Sequence, residues 1–309
     1  MTEHIWPKAL QPASGPMRAD KLDGAAEGMG DWGEETKKLA AMGLVPPDMM
    51  TGLTLYILGH QPKDPNKQKM PGAGGGVAGG VWVRERFSIS QPLRRDDVFS
   101  VTGEAIGRHV HKGRRYGSNR SETVNAAGQL VGRNLTTGLL AYKVEEGLAD
   151  TLEGEDPNSI PAPEPDWTHA AENPHMDALQ ELNVGDRLES SPIMVSLSMM
   201  EARDTKKPDN PIHSDPKLAA QAGLKKPIAG GSHVLAFPLE LILGRCGATS
   251  LLYGAAFDVR WKAPVFADSA MHASAEVVAK DDKLVCFDIA ATLDEGAVAM
   301  TGTVRVPLA

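Results

Sequence analysis

Between Asp204 and His233 the chain gathers the side chains that acid–base chemistry requires. Asp204, Asp209 and Asp215 supply carboxylates, and His213 supplies an imidazole that changes charge near neutral pH. Asn210-Pro211 is a stiff turn between them. Pro227-Ile-Ala-Gly-Gly-Ser-His233 then leads into an apolar stretch that reads as a helix over Ser232–Leu243, bent at Pro238. The first amides of such a helix can face negative charge as it develops on a reacting oxygen. A carboxylate and an imidazole held by a turn beside that helix entry make a site for general acid–base catalysis. Asp215 has a different part. It precedes Pro216 and a short run ending at Gly223, so it reads as the N-cap of a short helix. His233 reads as a hydrogen-bonded wall residue rather than a catalyst.

The elements around this stretch fall into two similar halves. In the first, Met49–Leu58 is apolar on nearly every face, with Asp48 as N-cap and Gly59 as stop, and reads as a buried helix. A glycine-rich loop over 62–80 lacks the GKS/T ending of a phosphate loop and is not preceded by a strand. From Val81 the apolar period becomes two, giving strands at Val81–Ile89, Val98–Ile106, Arg115–Val124 and Leu130–Tyr142. In the second half the apolar helix precedes strands at Ala255–Trp261, Ser269–Val278, Leu284–Leu293 and Ala297–Val306. Each half also carries a proline, an aliphatic residue, two variable residues and an aspartate between its first two strands: Pro92-Leu-Arg-Arg-Asp96 and Pro264-Val-Phe-Ala-Asp268. The chain therefore reads as α+β, a whole domain repeated once, each copy a helix wrapped by an antiparallel sheet. The first domain spans 1–150 and the second 179–309. An acidic, proline-rich linker over 151–178 reads as a solvated connection. The opening residues to Gly33 read as a surface wrap or a partly mobile segment.

Composition excludes several functions. Among 309 residues the formal net charge is −8, so there is no basic excess to neutralise phosphates, and nucleic acid is not an expected partner. No apolar run reaches the ~18 residues of a membrane span and no leader pattern opens the chain, so the expectation is a cytoplasmic protein. Cys246 and Cys286 lack metal or redox spacing and read as reduced core thiols. His109 and His111 flank Val110 near several basic residues, but a third ligand is lacking in the nearby sequence, so metal is not expected there.

Asn210-Pro211-Ile212-His213-Ser214-Asp215, with Pro227-Ile228-Ala229-Gly230-Gly231 downstream, resembles the signature of the MaoC-like, R-specific enoyl-CoA hydratase/dehydratase family, and Pro92–Val98 looks like that family's first-domain strand turn. The likeness implies a double hot-dog fold and reversible hydration of a 2-enoyl-CoA to a 3-hydroxyacyl-CoA. It implies that His213 and an aspartate act on water, that Asn210 orients the loop or the water, and that the Gly231 amide meets the thioester oxygen. It implies no cofactor beyond the coenzyme A thioester that is the substrate, and a first domain that is non-catalytic and accommodates the acyl tail. Two departures stand out. The family places its aspartate two residues before the asparagine, where this chain has Pro208, so the acid is Asp209, or Asp204, or is lost from this copy. Gly230 stands where the family usually has histidine. Lys225, Lys226 and Arg115 are candidates for the coenzyme A phosphates. A homodimer is the expected assembly. Two other readings remain open: a hot-dog acyl-CoA thioesterase, and a non-catalytic acyl-thioester-binding subunit.

Overall fold

The computed structural model describes residues 6–61, 81–140, 144–204 and 211–308. The glycine-rich loop over 62–80 lies outside them, as do Asp209 and Asn210. In chain order the first half contains strands β1 (Lys8–Ala9) and β2 (Ala13–Pro16), helices α1 (Ala19–Gly28), α2 (Glu34–Ala41) and α3 (Gly52–Gly59), and strands β3 (Val81–Ile89), β4 (Val98–His111), β5 (Arg114–Asn125), β6 (Leu130–Leu139) and β7 (Thr151–Gly154). The second contains α4 (Met176–Gln180), β8 (Arg187–Glu189), β9 (Ile193–Val195), α5 (Leu197–Asp204), α6 (Pro216–Gln221), α7 (Gly231–Cys246), and strands β10 (Ala255–Trp261), β11 (Ser269–Lys280), β12 (Leu284–Leu293) and β13 (Val298–Pro307).

The eight main strands form one antiparallel sheet in the order β4-β5-β6-β3-β10-β13-β12-β11, so each half repeats the other's strand order about the β3–β10 seam. At the seam Phe87 faces Phe257, and the two rings stack at 4.2 Å. The repeated turns are alike in backbone as well as sequence. Asp96 and Asp268 both take positive φ, at 64° and 62°, a region that aspartate enters more readily than most side chains. Leu93 and Val265 anchor the two turns in the core.

The sheet curls about two helices of unequal size. The sixteen residues of α7 run through the second half, with Pro238 inside the helix and ten of its residues buried. In the first half a short 3-10 helix, Pro47–Thr51, runs into the eight residues of α3. The apolar helix expected there is therefore shorter than its sequence suggests, and Leu55 points outward.

Three expectations are corrected. Asp48 is not an N-cap. It is buried and pairs with Arg203 of α5, across the two halves. The segment after β7 is no solvated connection: Arg86 donates to the Pro157 and Ile160 carbonyls, and Glu164 pairs with Arg305 at 2.6 Å. The linker thus lies across the outer face of the sheet, and its β7 portion pairs with β4. The opening residues are ordered beyond a surface wrap, since β1 and β2 pair with β4 while α1 packs on α5. A second bond between halves comes from Glu240 of α7. Its carboxylate accepts from the Glu35 and Thr36 amides and, at 2.7 Å, from the Thr36 hydroxyl, capping α2 from outside.

Breaking a buried pair leaves an uncompensated charge, so Arg203→Met should cost about 3–5 kcal/mol in urea unfolding. Adding Asp48→Asn should recover part of that loss. A loss under ~1 kcal/mol would mean the pair contributes no more than an exposed one.

Candidate active site

His213 ends a short 3-10 turn, Pro211–His213, with which the described residues resume after Asp204. Its Nδ1–H donates to the Ile228 carbonyl at 2.7 Å. That bond fixes the tautomer and leaves Nε2 with its lone pair free to take a proton. Nε2 is turned toward the glycine entry of α7: a Cβ built on Gly230 would stand 3.9 Å from it. Burial pulls the pKa of His213 below its ordinary value, while the Ile228 carbonyl and the Asp204 carboxylate push it back up.

Asp204 is the last residue of α5, and its carboxylate accepts from the Ser214 hydroxyl at 2.8 Å. Ser214 therefore ties the end of α5 to the residue following His213. Asp215 caps α6, accepting from the Lys217 and Leu218 amides at 2.8 and 3.2 Å, and Gly223 closes that helix with φ of 84°. The loop carrying His213 is thus held by a capped helix on one side and a side-chain bond on the other.

The helix entry is held as firmly. Pro227–Ala229 runs antiparallel to Val265–Ala267, with Ala229 donating to Val265 and Ala267 to Pro227. The chain then turns at Gly230 and enters α7 at Gly231. The Trp261 indole N–H donates to the Gly231 carbonyl at 3.0 Å, and a Cβ on Gly231 would lie 2.9 Å from that ring. Glycine is required at 231 because the tryptophan occupies the space. The Gly231 amide, in the first turn, has no acceptor within the helix, which leaves it free for a ligand oxygen.

His233 is one of the wall residues. It is 1% exposed, its Nε2–H donates to the Gly28 carbonyl of α1 at 2.8 Å, and its ring packs on Phe237. Burial, with Arg203 nearby, holds its pKa down to about 3. The structure therefore brings together Asp204, His213 and Gly231. Lys225 and Lys226 stand just before Pro227. Lys225 lies over the Phe266 ring at 4.3 Å, and Lys226 is 4.0 Å from Asp268. Arg115 lies at the start of β5, paired with Glu145 at 2.9 Å, and no described hydrogen bond or ion pair links it to the site. Sequence reasoning missed two contributors. Arg203 carries a signal only in its place beside Asp204. Trp261 sits where an apolar strand ends, and nothing local distinguishes it from a core residue.

Among the described residues no group of three or more His, Cys, Asp or Glu could hold a metal. His109 stacks on Tyr116, and His111 pairs with Asp150. Both cysteines are free, and burial pushes the Cys246 thiol up to about 11. No described helix is long and apolar enough to cross a membrane.

A family model described as MaoC like domain matches residues 208–295. The matched residues lie in the second half and include His213 and Gly231. Solved structures extend the likeness over the whole chain. A MaoC-like dehydratase aligns at 15% identity and a TM-score of 0.67, over 96% of this chain and 97% of that one. Peroxisomal multifunctional enzyme type 2 from Drosophila melanogaster aligns at 16% and 0.63, over 97% of this chain and 48% of that one. A Mycobacterium tuberculosis protein described as having a double hotdog fold aligns at 14% and 0.64, over 96% of each chain. No curated protein matches the sequence. The fold is a double hot dog, with the two halves repeating one strand order about the seam.

The buried state of His233 has a measurable consequence. Its folded pKa lies below the ordinary 6.5, so between pH 6.5 and about 3 the unfolded chain takes up a proton that the folded chain refuses. Its contribution to stability is complete above pH 6.5 and is lost as pH falls toward 3. His233→Gln should flatten that part of the stability–pH curve in urea titrations. An unchanged slope would mean that His233 is charged in the fold.

Proposed function

We propose that the chain adds water to the double bond of a 2-enoyl-CoA, or removes it from a 3-hydroxyacyl-CoA. The observation that carries this reading is the free Nε2 edge of His213 facing the amide-lined entry of α7, with Asp204 beside it. In the hydration direction, a water lies between Asp204 and His213, which together remove one of its protons. The oxygen bonds to the β-carbon of the enoyl unit, and electron density moves to the thioester oxygen. The Gly231 amide and the N-terminus of α7 stabilise that oxygen as it becomes an enolate. The α-carbon then takes a proton, and the product is the 3-hydroxyacyl thioester. One water adds across one double bond and no electrons are exchanged, so the balance calls for no redox partner.

Asp204 is favoured over Asp209 because its carboxylate is tied to Ser214 and acts electrostatically on His213. Asn210 orients the water or the loop. Lys225 and Lys226, beside the Pro227 turn, meet the phosphates of coenzyme A. Arg115, committed to Glu145, is a weaker candidate.

Crotonyl-CoA and decenoyl-CoA, followed at the enoyl absorbance, test the assignment. Wild type should consume both with the thioester intact. His213→Ala and Asp204→Asn should each lower kcat by about 10²–10⁴, while Asp209→Asn should retain most of the activity. A large loss in Asp209→Asn with Asp204→Asn unaffected would move the acid to Asp209. Release of free thiol in place of hydroxyacyl-CoA would replace the hydratase with a thioesterase.

A further inference from the structure

Asp204 occupies an exacting position for a candidate acid. It is the last residue of α5, an eight-residue helix, and helix ends fray unless something outside the helix holds them. The Ser214 hydroxyl is one such tie, at 2.8 Å. A second reaches Asp204 through the residue beside it. Arg203 crosses to the first half and pairs with Asp48, the two side chains being 11% and 2% exposed. Successive side chains on a helix point about 100° apart. Pinning Arg203 to a fixed anchor therefore sets the direction in which Asp204 leaves the helix.

The anchor is rigid. Asp48 lies in the 3-10 helix that begins at Pro47, and the Thr51 hydroxyl donates to its carbonyl at 2.7 Å. Arg203 is also enclosed along its stem. Gly28 of α1 brings its backbone so close that a Cβ there would stand 2.7 Å from Arg203 Cβ, and the Ala25 carbonyl accepts from Nη1 at 3.5 Å. His233 donates to the carbonyl of that same glycine, and the Arg203 charge helps to hold it neutral. Docking the halves does not by itself require the Asp48–Arg203 pair. Glu240 joins them elsewhere, through its bonds to Glu35 and Thr36 of α2. An apolar contact of the same size would hold the halves about as well, yet it would leave α5 freer to turn. What distinguishes Arg203 is its covalent neighbour.

We propose that Asp48 and Arg203 are positioning residues, a pair through which the first half of the chain sets the Asp204 carboxylate against His213. The proposal rests on the reading of Asp204 as the acid of a hydratase site. The first half then serves the chemistry without touching the substrate, and in a variant that still folds, losing the pair displaces the acid. Asp204 also acts on His213, pushing its imidazole toward the charged form. The placement of Asp204 is therefore readable from the titration of His213, with or without turnover.

The deciding variant is Asp48→Leu/Arg203→Met, which removes both charges at once. Apolar replacement of a buried pair is often neutral for stability. Arg203→Met and Asp204→Asn accompany it, each checked by thermal unfolding, and the double variant alone decides the matter should Arg203→Met not fold. His213 is titrated by NMR of its imidazole, its signal being the one missing from His213→Ala. In the double variant its pKa should fall toward that in Asp204→Asn. In Arg203→Met it should fall as well, although removing a cation would by itself raise it. With crotonyl-CoA, kcat should drop by about 10–10²-fold while KM changes little. Adding the two substitutions to Asp204→Asn should cost no further activity. A folded double variant in which His213 titrates as in wild type overturns the proposal, whatever its kcat. A full further loss on top of Asp204→Asn overturns it too, since the pair would then act other than through Asp204. If wild type hydrates no enoyl-CoA, the hydratase reading falls, and the titration alone decides on the positioning.

Discussion

The β3–β10 seam is the constraint on which the rest of the molecule depends. Two curled sheets could each close over a helix independently. Joining them edge to edge satisfies the backbone groups that both edge strands would otherwise expose, and makes the concave faces continuous. The stacked Phe87–Phe257 pair fixes the register. A slip of one residue would turn Glu85 and Phe87 to the outer face and Arg86 to the core, so the register is strongly specified. With it fixed, Trp261 stands where it can bond Gly231, and the entry of α7 acquires a rigid wall.

The candidate site draws on both halves, although Asp204, His213 and Gly231 come from one. Asp48 holds Arg203, next to Asp204; Gly28 of α1 accepts from His233; Glu240 of α7 caps α2. Each bond takes a charged or polar group out of water and satisfies it with a partner from the other half. A buried pair of this kind is weak evidence for net stability, but it penalises any arrangement in which the partners separate. The result is an orientation of α5 that a purely apolar contact would leave freer to slide.

The repeated strands, the capped α6 and the apolar α7 were legible in the sequence because local rules govern them: alternation, capping residues and an aspartate in a left-handed turn. The two turns ending at Asp96 and Asp268 identified the duplication, and their shared backbone geometry bears that out. His213 could be singled out because its neighbours define a turn and a cap. What could not be read depends on distant partners. Asp48 has the local signature of an N-cap, yet Arg203 claims it from the other half. The linker has the composition of a solvated chain, yet Arg86 and Arg305 draw its carbonyls and carboxylates onto the sheet. The opening residues showed no period long enough to betray two short strands.

The divergence of the halves follows from what each helix covers. Sixteen residues of α7 fill the second concave face, which therefore needs apolar side chains from every strand that touches it. Eight residues of α3 cover less of the equivalent face, and there the selection for close apolar packing is relaxed. Relaxation alone would leave small apolar residues in place. It would not install a carboxyl group at the position of Phe257, nor support it with Asn134, whose own amide is committed to Met50. That carboxyl, Glu85, is held instead by the polar groups that replaced its apolar neighbours: Asn134 donates to it, and Thr136, directly opposite in the sheet, hydrogen-bonds it as well, so the polar residues of this face were exchanged as a connected set.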